Sequence, residues 1–167
     1  MSEFELKALS ADGITHALDR VERYRLMNQP RVAESICRDI LAVDAGNHQA
    51  KVQLILALTD QFEGHAGPGL QRLLTLTEEL AEDYDKAYYS GIVYEREAKA
   101  RLRREYPGAK FDAYEHLRTA MELYERADSL HATGNEDARL HYNTCIRVIE
   151  DQSLHARPDD DAEPAFD

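Results

Sequence analysis

The chain is short of most features that mark a secreted, membrane-spanning or catalytic protein. Its two cysteines, Cys37 and Cys145, are too few and too far apart for a secreted disulfide framework. Both fall on apolar faces of expected helices and are read as small buried hydrophobes. No apolar run reaches the ~20 residues that cross a bilayer. The opening MSEFELKALSADG lacks the basic start and long apolar core of a secretory signal. A cytoplasmic protein with no membrane contact is expected. Positive charge is also scarce: 20 lysines and arginines face 32 aspartates and glutamates, a formal net charge of -12. Such a field repels nucleic acid and anionic lipid.

Catalytic patterns are missing too. Gly64, Gly67 and Gly69 are followed by no Lys-Ser/Thr pair and preceded by no strand, so they form no phosphate loop. The seven histidines contain neither His-Glu-x-x-His nor the Glu-x-x-His of a di-iron bundle. Glu115-His116, and Glu136 with His141, match no known ligand set, and His16, His48, His65, His131 and His155 sit near helix ends or loops. No enzyme activity, metal or cofactor is expected.

What is present is helical periodicity. Hydrophobic residues make up 43% of the chain and charged ones 31%, a balance that builds one folded domain. A first helix is expected over residues 12–26, carrying Ile14, Ala17, Leu18, Val21 and Tyr24. Asn28-Gln29-Pro30 breaks it and starts the second, with Ala33, Ile36, Cys37, Ile40 and Leu41 at three-four spacing. Asn47 is an N-cap for a third helix that is apolar almost all round: Val52, Leu54, Ile55, Leu56, Leu58, Phe62. A fourth carries Leu70, Leu73, Leu74, Leu76 and Leu80. Asp83 caps a long fifth, which ends at Pro107-Gly108. The sixth carries Phe111, Tyr114, Leu117, Ala120, Met121 and Tyr124. The seventh follows Gly134-Asn135 with Ala138, Tyr142, Cys145, Ile146 and Ile149. This divides the chain into an N-terminal extension (1–11), a helical domain (12–152) and an acidic, disordered tail (153–167).

The hairpins repeat. Ala17, Val21 and Tyr24 match Ala87, Gly91 and Tyr94 in spacing, and Ala33-x-x-x-Cys37-x-x-Ile40 matches Ala113-x-x-x-Leu117-x-x-Ala120. The small-residue-then-tyrosine element and the alanine, large apolar, alanine spacing resemble the tetratricopeptide pattern. Three degenerate units and a C-terminal capping helix are covered. The middle unit has Leu58 where an aromatic belongs, and no unit has the family's early tryptophan or closing proline. The resemblance implies an all-α fold of about seven helices, in antiparallel hairpins stacked as a short right-handed superhelix.

It also implies a concave groove lined by the first helix of each pair. By that analogy the partner-binding residues are Leu18, Glu22 and Arg25; Gln49, Val52, Leu56 and Thr59; Tyr88, Ile92 and Glu95; and Leu140, Thr144 and Arg147. Leu18, Val52, Leu56, Tyr88, Ile92 and Leu140 form an apolar stripe suited to a peptide or amphipathic helix. The other reading is that these residues are core. With only Arg25 and Arg147 basic and no asparagine among them, the family's carboxylate clamp is disfavoured. Leu56→Glu is expected to abolish partner capture and leave helicity intact.

Eight of the nine tyrosines fall between Tyr84 and Tyr142. Tyr88 and Tyr89 are adjacent, so one of them is expected at the surface. The stretch 96–110 is the one basic patch, with Arg96, Lys99, Arg101, Arg103, Arg104 and Lys110. The functional expectation is a non-enzymatic protein–protein interaction module, an adaptor or chaperone-like protein. The alternatives are a helical domain that buries the stripe in a homodimer, and, more remotely, a nucleic-acid-contacting regulator using 96–110.

Overall fold

Local sequence signals place the helix ends. In the computed structural model, which describes residues 3–64 and 67–159, a 3-10 turn at Ala11–Gly13 leads into α1 (Ile14–Leu26). Asn28 closes α1 in the left-handed region (φ 56°), a conformation that asparagine tolerates better than most residues. Pro30 then occupies the first turn of α2 (Pro30–Val43), where its missing N–H costs no hydrogen bond. Asn47 caps α3 (His48–Thr59): its side-chain oxygen accepts from the Ala50 N–H at 2.9 Å, worth about 1 kcal/mol.

The remaining helices are α4 (Leu70–Glu78), α5 (Asp83–Arg104), α6 (Ala109–Ser129) and α7 (Asp137–Asp151). Two expected details shift by a residue or two. Asp83 is the first residue of α5 and Glu82 the cap; Leu80 lies in the turn after α4, yet is buried. Glu105 and Gly108, both with positive φ, turn the chain sharply from α5 into α6.

The seven α-helices among the described residues make an all-α fold with no strand. Consecutive helices pack on each other, α1 also meets α3, and α3 also meets α5. The residues aligned between hairpins sit at the contacts: Ala17, Val21, Ala33, Cys37 and Ile40 in the first, Ala87, Gly91, Ala113, Leu117 and Ala120 in the third, are all buried. Small side chains there let helices approach, and the large ones fill the gaps. Among the described residues the buried apolar side chains form three clusters, on α1–α3, on α3–α5 and on α5–α7. Cys37 and Cys145 are free and buried, and burial pushes both thiols up to about 12.

The C-terminal boundary lies later than residue 152. Leu154 is buried in the α5–α7 cluster, and Arg157 lies over the Phe111 ring at 5.2 Å and bonds Asp112 at 2.8 Å. Asp112 also accepts from Tyr106 at 2.6 Å and from Arg101 at 3.3 Å. The segment expected to be free is thus clasped to the start of α6 by an aromatic and a carboxylate. The rest of the expected tail, 160–167, lies outside the described residues, as does His65. At the other end Leu9 packs on the α1–α3 cluster.

Candidate functional site

The predicted stripe is mostly interior. Val52 (8% exposed) and Ile92 (4%) are core. Leu18, Leu56 and Tyr88 are half-buried and pack on the clusters; Leu56 touches both the middle and the C-terminal one. Leu140 is 61% exposed. Gln49, Glu22 and Arg147 are exposed, Thr144 half-buried and Thr59 buried. The physical reason is the neighbourhood of α3. A helix apolar almost all round is enclosed by α2, α4, α1 and α5, so its inner residues face helices rather than solvent. A Leu56→Glu variant therefore puts a charge between two clusters, and is no clean test of capture.

Glu95 is likewise interior, at 3% exposure. It accepts from Tyr124 Oη at 2.6 Å and from His141 Nδ1 at 2.8 Å, and pairs with Lys99 one turn on. Since a carboxylate only accepts, His141 carries its proton on Nδ1 in this contact. Burial alone raises the pKa of Glu95, but the three donors, His141, Lys99 and Tyr124, outweigh it and hold it at about 2. His141 stacks on Tyr124 (5.4 Å between centroids) and meets Tyr88 edge-on at 5.7 Å. This hub joins α5, α6 and α7. Tyr88 and Tyr89 do not divide into one inside and one outside: both are half-buried, with rings in a T-shaped contact at 5.0 Å.

The open surface between α1, α3 and α5 is charged instead. A cleft of about 490 Å³ is lined by Arg25, Leu26 and Asn28 from the end of α1, by Asp60 and Glu63 after α3, and by Arg96, Lys99 and Arg103 of α5. Asp60 is its centre. One carboxylate oxygen takes Arg25 Nε at 2.8 Å and the other Arg96 Nη1 at 2.7 Å. Arg25 reaches Gln53 at 3.1 Å, and Arg96 the Thr59 hydroxyl at 2.6 Å. Leu26, 85% exposed, forms part of the rim.

The basic stretch 96–110 does not make one patch. Arg96, Lys99 and Arg103 face the cleft, Arg103 pairing with Glu63. Arg101 pairs with the buried Glu97 at 2.9 Å, Arg104 donates to the Phe62 carbonyl, and Lys110 to that of Gln152. Each of the six cations has a partner within the chain, and they point to different neighbours rather than forming one continuous stripe.

Of the expected groove residues, the structure brings Glu22, Arg25 and Thr59 to this cleft, joined by Arg96, Lys99 and Arg103 from the expected basic stretch; Leu26, Asn28 and Asp60 belong to neither expectation. A signal for three of the cleft residues was present. Leu26, Asp60 and Arg96 each stand two residues beyond the matched positions Tyr24, Leu58 and Tyr94, so the repeat register carries successive units to one line.

Among the described residues no three His, Cys, Asp or Glu side chains converge as a metal-ligand set, and no helix is long and apolar enough to cross a membrane. The chain matches no protein-family model, no curated protein and no solved structure.

Proposed function

We propose that this chain is a non-enzymatic protein-binding module of the tetratricopeptide kind, an adaptor that takes a peptide or amphipathic helix along the α1/α3/α5 cleft. The observation that carries the reading is the cleft itself. Three helices from successive hairpins contribute to one concavity, rimmed by an exposed leucine and floored by the Arg25–Asp60–Arg96 cluster. Its charged groups are already paired with each other, an arrangement that orders a surface and leaves guanidinium edges to bond a peptide backbone or carboxylate. The apolar contribution to binding comes from Leu26 rather than from the buried stripe. Self-assembly has less to recommend it than the sequence implies, because Val52 and Ile92 are covered within one chain.

The test is affinity capture from lysate with the wild type, Leu26→Glu and Leu140→Glu, after circular dichroism has shown all three folded. Capture of a defined polypeptide that Leu26→Glu loses and Leu140→Glu keeps supports the reading. Equal capture by all three, or none by the wild type, refutes it. Light scattering over a dilution series addresses self-assembly directly: a dimer broken by Leu140→Glu would favour that rival.

A further inference from the structure

We infer that the face between α2 and α4 holds a second, separate binding site, for the phosphate monoester of a small apolar alcohol or phenol. A cavity of about 470 Å³ there is lined by Arg31, Glu34, Ser35, Arg38, Gln61 and Arg72, and shares no residue with the α1/α3/α5 cleft. Arg31, Ser35 and Arg38 are spaced four and three residues apart on α2, which sets them on one side of that helix. Arg72 faces them from α4.

The charge balance is what marks the site. Glu34 is the one acid among these residues, and both of its oxygens are taken: Oε1 accepts from Arg38 Nε at 3.1 Å and Oε2 from Gln61 at 2.7 Å. Neither Arg31 nor Arg72 makes a direct ion pair among the described residues, although the charge of Arg72 is felt by Glu34 across the cavity. Three guanidiniums against one committed carboxylate, in a chain of net charge -12, is a local excess that composition does not explain. Guanidinium forks match phosphate oxygens in pairs, and the Ser35 hydroxyl adds a donor. The acidity of the rest of the molecule repels a long polyanion, so the ligand is compact.

Its other half follows from the next cavity. A space of about 400 Å³ shares Arg31, Gln61 and Gly67 with the first, meets the α1/α3/α5 cleft at Asn28 alone, and is walled by Pro30 and Val32. Val32 is 40% exposed there. Two adjoining cavities, one basic and one apolar, fall in the size range of small-molecule sites. The arrangement takes the phosphate at the arginines and the carbon skeleton against Pro30 and Val32.

Phosphorus NMR titration of phenyl phosphate and of inorganic phosphate against the full chain, at constant ionic strength, tests this. The expected result is binding of both anions, phenyl phosphate the tighter. The Arg31→Gln/Arg72→Gln double variant is expected to bind each about tenfold more weakly, whereas Arg118→Gln, an exposed arginine of α6, binds as the wild type does. Both substitutions are at the surface, and an unchanged melting profile confirms that the double variant folds. The inference is overturned by absence of binding to the wild type, by undiminished binding to the double variant, or by equal losses in the Arg118→Gln control. Phenyl phosphate binding no tighter than inorganic phosphate overturns the apolar half.

Discussion

The ring of Tyr124 on α6 packs against Gly91 on α5, so close that a β-carbon on Gly91 would stand 2.6 Å from Tyr124 Cε1. The hydroxyl of the same ring reaches the carboxylate of Glu95, one helical turn further along. One tyrosine thus reads two positions of α5: a side chain that must be absent and another that must be charged.

Gly91→Ala is expected to destabilise the fold, although alanine is the better helix former by about 1 kcal/mol. The ring is fully buried and has no room to retreat, and overpacking a core costs about 1–3 kcal/mol. Urea unfolding should show a net loss of up to about 2 kcal/mol. A variant as stable as the wild type would mean that α5 and α6 can separate freely.

Acid should find the Glu95 hub. The folded carboxyl is held at about 2, against an ordinary value of 4.5. Its contribution is therefore fully present above pH 4.5 and is lost as pH falls through 2. A shift of that size corresponds to about 3 kcal/mol. Unfolding free energy measured between pH 6 and 2.5 should fall with a slope that Glu95→Gln flattens. Tyr124→Phe should cost about 1.5–3 kcal/mol at neutral pH by removing a donor from a buried charge.

Leu26→Glu and Leu56→Glu should separate cleanly. Leu26 is exposed, and its replacement should leave stability within about 0.5 kcal/mol. Leu56 is half-buried between two clusters, and its replacement by a carboxylate should cost about 2–3 kcal/mol. Thermal unfolding of the two variants side by side checks it.

Leu154→Ala should destabilise by about 2–3 kcal/mol, as for a leucine in a core. Truncation after residue 152 should cost at least as much, because it also removes Arg157 from Phe111 and Asp112. A truncated chain that melts with the intact one would return the boundary to residue 152.

Helix ends were legible because their causes are local. Pro30, the Asn47 cap and Pro107-Gly108 act within a turn of themselves, and each stands where its chemistry places it. The matched spacings of Ala17, Val21, Ala33 and Cys37 were legible for the same reason: a period in sequence is a face in space. The segment after residue 152 is harder to read because its acidic, proline-broken composition hides one leucine that packs on the α5–α7 cluster and one arginine whose partner lies 45 residues away. The open surface was less legible still. Glu95 reads as a solvent-facing charge until His141, 46 residues on, is seen against it. Asp60 gains its role only when Arg25 and Arg96 arrive from two other helices. Pairing of that kind leaves no trace in the periodicity of either helix.

Division of the buried side chains into three successive clusters means that no single core must melt all at once. The cluster on α1–α3 is built largely from alanines with Val21, Cys37 and Ile40, whereas that on α5–α7 holds Leu117, Met121 and Tyr124 and is bolted through the Glu95 hub. Neighbour-to-neighbour stacks come apart from their weaker end. Amide protons of α1 and α2 will therefore exchange with solvent sooner than those of α5 and α6. On that expectation the first hairpin loosens ahead of the third, and the cleft, which takes one wall from each, is expected to widen before the rest unfolds.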